Sequence, residues 1–96
     1  MHVGVVHGDG GIHFLAVSDS RAGMMLKVAE YVGSQASHQL YAGDAAVVAD
    51  LLERSEPDAA VRFYFEHVGA RWDRETLTMD VVPIGRSEAG REGRWR

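Results

Sequence analysis

Residues 7–13 read HGDGGIH, the stretch of the chain with the densest chemistry. Two imidazoles and a carboxylate could hold a metal ion or move a proton, and three glycines could cradle a phosphate. The phosphate reading fails on spacing. A dinucleotide fingerprint needs a third glycine where His13 stands, and it must open a helix, whereas a strand-like run follows here. A Walker A loop needs Gly-Lys-Ser/Thr, which is absent. The metal reading needs a three-residue loop, Asp9 to Gly11. His7 would then face His13 about 5 Å away across a hairpin, with Asp9 close enough to join. His7, Asp9 and His13 are therefore the candidate metal ligands. Against them stands a simpler account, a hairpin tip with solvated side chains. Asp9-Gly10 is a strong two-residue turn signal of type I′, which takes positive φ at both central positions. We take the hairpin as the primary reading.

Other titratable groups have structural roles that suffice. His67 falls in the last turn of a predicted helix, where a cation favours the carbonyl end of the dipole. Asp50, Glu53, Glu56 and Asp58 cluster around a helix junction and read as caps and solvated faces. An acid–base pair among His67, Glu66 and Tyr64 is conceivable, but the spacing does not single it out. No serine sits on a nucleophile elbow. The absence of cysteine removes thiolate catalysis, disulfides and sulfur-ligated zinc. No cofactor is implied.

The elements that must position these groups follow from periodicity. Val3–Val6 and Ile12–Val17 read as two strands of the hairpin. A two-residue turn would pair Val6 with His13, His7 with Ile12 and Val5 with Phe14. Val3, Val5, Ile12, Phe14 and Ala16 would then face the core. Residues 20–32 read as a helix with Ser18, Asp19 or Ser20 at its start and Gly33 at its end. Residues 34–43 read as a connection with a short extended piece at 38–41. Asp44 is placed to cap a helix over 45–54. Ser55, with Pro57 in the first turn, is placed to cap a third that runs to about Val68, with Gly69 closing it. Residues 71–75 read as a turn, and TLTMDVV, 76–82, alternates as a half-buried strand with Leu77, Met79 and Val81 inward. The expectation is an α+β two-layer domain over residues 1–84, in which a three-stranded antiparallel sheet in the order β-β-α-α-α-β carries helices on one face. Residues 85–96 read as a disordered Arg/Gly-rich tail.

Composition bounds the class of function. The chain has 96 residues, 46% hydrophobic and 25% charged, as in a soluble single domain. Its net charge is −4. From Gly85 onward four arginines oppose two glutamates, so the body before them is the more acidic part. An acidic body disfavours nucleic acid as a partner. No apolar run approaches the length of a membrane span, and Met1–Gly4 does not open a signal peptide. Arginine and alanine dominate over lysine, a usage typical of GC-rich bacterial genomes. These features together point to a cytoplasmic location.

The helices carry apolar arcs wider than one-sided packing on a small sheet requires. Met24, Val28 and Tyr31 form a second strip beside the main face of the first helix, and these residue types are common at interfaces. The sheet also has two open edges. The resulting expectation is a small non-enzymatic binding or accessory protein, acting through protein–protein association as a homodimer or with another protein. Its expected contact surface is Met24, Val28 and Tyr31, or a sheet edge. The competing expectation is a small enzyme or a metal- or ligand-binding protein with its site at the His7–Asp9–His13 hairpin tip.

Overall fold

The structure, a computed structural model, describes residues 1–70 and 74–83. The expected tail, 85–96, lies outside the described residues, as does most of the expected 71–75 turn. The chain runs β1 (His2–Gly8), β2 (Gly11–Ser18), α1 (Arg21–Gln39), α2 (Ala42–Glu53), α3 (Pro57–His67) and β3 (Thr76–Val81). The α+β order is therefore the expected one. β1 is the central strand, antiparallel to β2 on one side and to β3 on the other. Among the described residues no helix is long and apolar enough to cross a membrane.

The hairpin closes through Asp9 and Gly10, with Gly8 opposite Gly11 and His7 opposite Ile12. Positive φ falls on Gly10 and Gly11 and not on Asp9, so the turn is not type I′. Beyond this point the expected register is wrong by one residue. Val6 pairs with Phe14 and Val5 with Leu15, which leaves His13 as an extra residue bulged out of β2. Because side chains alternate along a strand, one inserted residue reverses the faces of everything beyond it. Gly4 and Val6, not Val3 and Val5, are the β1 residues buried under the helices, together with Ala16 and part of Phe14.

α1 starts where Ser20 Oγ accepts from Gly23 N at 3.0 Å. It does not stop at Gly33. A single glycine costs a helix roughly 1 kcal/mol, and Val32, Ala36 and Leu40 continue the buried stripe at four-residue spacing. Burial of that stripe outweighs the glycine, so residues expected in a connection are helical up to Gln39. α2 begins earlier than expected, at Ala42, which puts Asp44 inside its first turn. Ser55 does not cap α3. It sits at φ 60° and closes α2, with its amide donating to Leu52 O and the Glu56 amide to Leu51 O. Pro57 opens α3 at a position whose missing N–H costs nothing.

All three helices contribute to one core of Met24, Met25, Val28, Val32, Val48, Val61, Tyr64 and their neighbours. Met24 and Val28 are thus buried within the single chain. They face the sheet, and the expectation that they form an exposed strip is corrected. The apolar arc was wide because α1 has two inward neighbours, the sheet on one flank and α2 and α3 on the other. β3 matches its expected span to within a residue, and only Leu77 of its inward residues is partly covered. Met79 and Val81 stay exposed.

Gly4 allows this approach of helix to sheet. A Cβ there would lie 2.7 Å from Met24 Sδ and 3.3 Å from Val28 Cγ2. Gly4→Val should lower the urea midpoint, costing about 1–3 kcal/mol through overpacking despite valine's better strand propensity. A midpoint equal to or above that of the parent chain would show that α1 does not rest on this glycine.

Candidate functional site

The densest polar chemistry of the described fold lies beneath the hairpin tip. The bulge turns both His13 and Phe14 toward the helices. Phe14 stacks on Tyr31 of α1, ring centroids 4.8 Å apart at 21°. His13 reaches past it to Glu75, the residue just before β3, with Nδ1 2.5 Å from Oε2. Tyr31 Oη donates to the same oxygen at 2.6 Å, and Tyr64 Oη of α3 donates to Oε1 at 2.5 Å. On the other edge of the imidazole, Nε2 lies 3.0 Å from the Asp9 carbonyl and donates to it. Three segments distant in sequence, β2, α1 and α3, therefore converge on one carboxyl group.

Glu75 comes to this place because Thr76 pairs with His7 on the outer side of the sheet, so its predecessor points inward. The Glu75 side chain is 0% exposed and that of His13 is 28% exposed. Burial of an unpartnered carboxylate would cost several kcal/mol, which the three donors offset. The tyrosines respond to the same environment. Burial raises the Tyr31 and Tyr64 hydroxyls well above the ordinary phenol range, and hydrogen bonding to Glu75 and its charge raise them further. Both phenols stay protonated and act as fixed donors.

Gly8 completes the site. His13's ring occupies the place where a Cβ on Gly8 would sit, with ring atoms Nδ1 and Nε2 2.7 and 2.8 Å from it. A side chain at position 8 would push the imidazole off Glu75. HGDGGIH thus works as a unit, in which the glycines give the chain room to fold His13 back over its own turn.

The candidate ligands His7, Asp9 and His13 do not converge. His7 is exposed and faces the opposite side of the sheet, and Asp9 contributes its carbonyl while His13 turns away to Glu75. Among the described residues no group of three His, Cys, Asp or Glu side chains is placed to hold a metal ion. The two-residue loop is the reason, since it pairs His7 with Ile12 and leaves His13 on the other face of the sheet. Tyr31, expected at a contact surface, is instead half-buried and committed to Glu75. His67 donates from Nδ1 to the Phe63 carbonyl at 2.8 Å and stacks on the Phe63 ring, a helix-end arrangement.

Sequence reasoning missed Glu75. A signal existed, however. Tyr31 and Tyr64 lie on apolar helix faces, and buried phenols need acceptors. A carboxylate at the edge of a predicted strand is the kind of group that could serve both. Chemically, the arrangement is a His–Glu dyad with a sealed carboxylate and a partly exposed imidazole. Comparison of the chain with family models, with curated proteins and with solved structures gave no match.

Tyr64→Phe leaves Oε1 of a buried carboxylate without its donor and should cost about 1–3 kcal/mol in urea unfolding. An unchanged stability would mean that water replaces the hydroxyl and that Glu75 is not sealed. In an alkaline titration, the folded phenols lie above the unfolded value of about 10. Their contribution to stability is therefore complete below that pH and is withdrawn above it. Two of the three tyrosines should develop phenolate absorbance only together with the loss of near-UV circular dichroism. Ionisation of all three while the chain remains folded would contradict the network.

Proposed function

We propose that this chain is a non-enzymatic accessory module of the bacterial cytoplasm that works by association, and that its partner surface is the outer face of the sheet in a homodimer. The observation that carries the reading is a contiguous apolar half of that face. The register aligns Ile12, His7 and Thr76 in one row, Leu15, Val5 and Thr78 in the next, and Val17, Val3 and Asp80 in the third. The β2 column is wholly apolar and the β3 column wholly polar. Ile12 is 65%, Leu15 56% and Val17 37% exposed. Among the described residues no element packs over this face. Aliphatic side chains in a continuous sheet column are unusual on a surface that stays solvated.

The edges support a face rather than an edge as the contact. Lys27 Nζ donates to the outward Val17 carbonyl at 2.6 Å, and the outward Val81 amide donates to the carboxylate of its neighbour Asp80 at 2.8 Å. Both outer strands thus have a backbone group occupied, and each bears a charge where a second sheet would pair. Two sheets packed face to face at about 10 Å around β1 and β2 would bury the aliphatic columns against each other and leave the β3 threonines at the rim. A single apolar column beside a polar one suits a two-fold axis, which sets like against like.

Light scattering on a size-exclusion column should report two chains per particle at micromolar concentration. Leu15→Lys, and Ile12→Lys in a second variant, should each weaken the dimer by about tenfold or more with far-UV circular dichroism unchanged. A parent chain that is monomeric at high micromolar concentration would remove the proposal. A dimer that survives both substitutions would move the contact to another surface.

A further inference from the structure

We propose that the His13–Glu75 pair is a proton-linked latch that fastens the hairpin tip and its bulge to the helix layer in mildly acidic solution and lets go as pH rises past neutrality. The inference rests on the geometry beneath the tip and does not depend on the association reading.

Each ring nitrogen of His13 faces an oxygen: Nδ1 the Glu75 carboxyl, Nε2 the Asp9 carbonyl. Both contacts are made only when the pair carries two protons, one on Nε2 and one between Nδ1 and Oε2. With a single proton, one of the two oxygens meets a lone pair, and either the turn or the carboxyl loses its bond. Among the described residues, the neighbours of the pair are already engaged. From α1 the group on the pair is Tyr31 and from α3 it is Tyr64, both raised phenols that already donate to Glu75. His67, at the end of α3, is committed to Phe63, and Lys27, on α1, to Val17. β1 carries His7 to the far face of the sheet, and Arg74, beside Glu75 in the chain, is exposed and lies against Gly69.

Proton counting gives the sign. Between about pH 4.3 and about pH 6.5 a free glutamate and a free histidine together hold the same two protons as the folded pair, so folding is indifferent to pH there. Above that window the unfolded histidine drops its proton while the folded pair keeps it. The folded state then binds more protons, and stability falls as pH rises. On the alkaline side the loss is local. Tyr31 and Tyr64 continue to hold Glu75, so the carboxylate stays with the helices and the tip is what opens.

Amide hydrogen exchange, corrected for intrinsic rates, is the direct test. Between about pH 5.5 and about pH 8, protection of the β1–β2 tip, residues 6–14, should fall by at least about tenfold, one proton giving up to tenfold per pH unit. Protection in α3, residues 60–64, should change far less. His13→Gln, which has no proton to release, should show a tip whose protection is flat across the same range. The nitrogen shifts of His13 in the parent chain, read by long-range ¹H–¹⁵N spectra, cover the case of a variant that does not fold. They should move from a doubly protonated ring to a neutral one in step with the loss of protection. A tip equally protected at both pH values, a His13→Gln chain with the same fall as the parent, or a ring that is neutral at the lower pH would each overturn the latch.

Discussion

A single carboxyl group, on Glu75, cannot be left alone inside this protein, and much of the architecture meets that constraint. Taking a carboxylate out of water is tolerable only when its oxygens accept strong hydrogen bonds. The donors come from β2, α1 and α3, and the acceptor stands at the threshold of β3. Both layers of the fold and the end of the hairpin are therefore referred to one point. Hydrophobic burial supplies most of the drive to collapse, but it is non-directional. The directed bonds to Glu75 specify where the hairpin tip, the two tyrosine-bearing helices and the last strand must meet.

The bulge at His13 follows from the same constraint. Without it His13 would sit directly opposite Val6, and Phe14 would turn to the outer face, away from Tyr31. With it, β2 changes face in mid-strand, and the pattern of aliphatic residues is divided differently from what regular alternation implies. Ile12, Leu15 and Val17 go outward, while Phe14 and Ala16 go in. The exposed aliphatic column and the buried polar cluster are thus two results of a single inserted residue.

This also explains which parts could be read from the sequence. The hairpin, the three helices and the final strand were legible because each depends on local periodicity, turn glycines and a proline. The sheet faces of β1 were not, since a bulge leaves no mark in the pattern and its cause, Glu75, is 62 residues away from His13. Gly33 was misleading in another way. It has the residue type of a helix terminus, but the stripe through Val32, Ala36 and Leu40 decides the length of α1. Met24 and Val28 read as surplus to one-sided packing because the sequence does not say that α1 lies between a sheet and two helices. His13 stands out in HGDGGIH, but its partners do not. Glu75 carries no such mark, because a lone glutamate before a strand is indistinguishable from a solvated one until the tyrosines above it are placed.

The strand order has a kinetic corollary. β1 leaves the N-terminal side of the chain and takes the middle of the sheet, yet one of its neighbours, β3, follows all three helices. The β1–β2 ribbon closes a two-residue loop and can form quickly. The β1–β3 pairing joins His7 to Thr76 and must wait for the whole intervening chain. Until then β1 has an unpaired margin of backbone donors and acceptors, and the aliphatic residues of the hairpin are uncovered on two sides. In a chain emerging during synthesis, that margin of the middle strand is exposed until β3 follows.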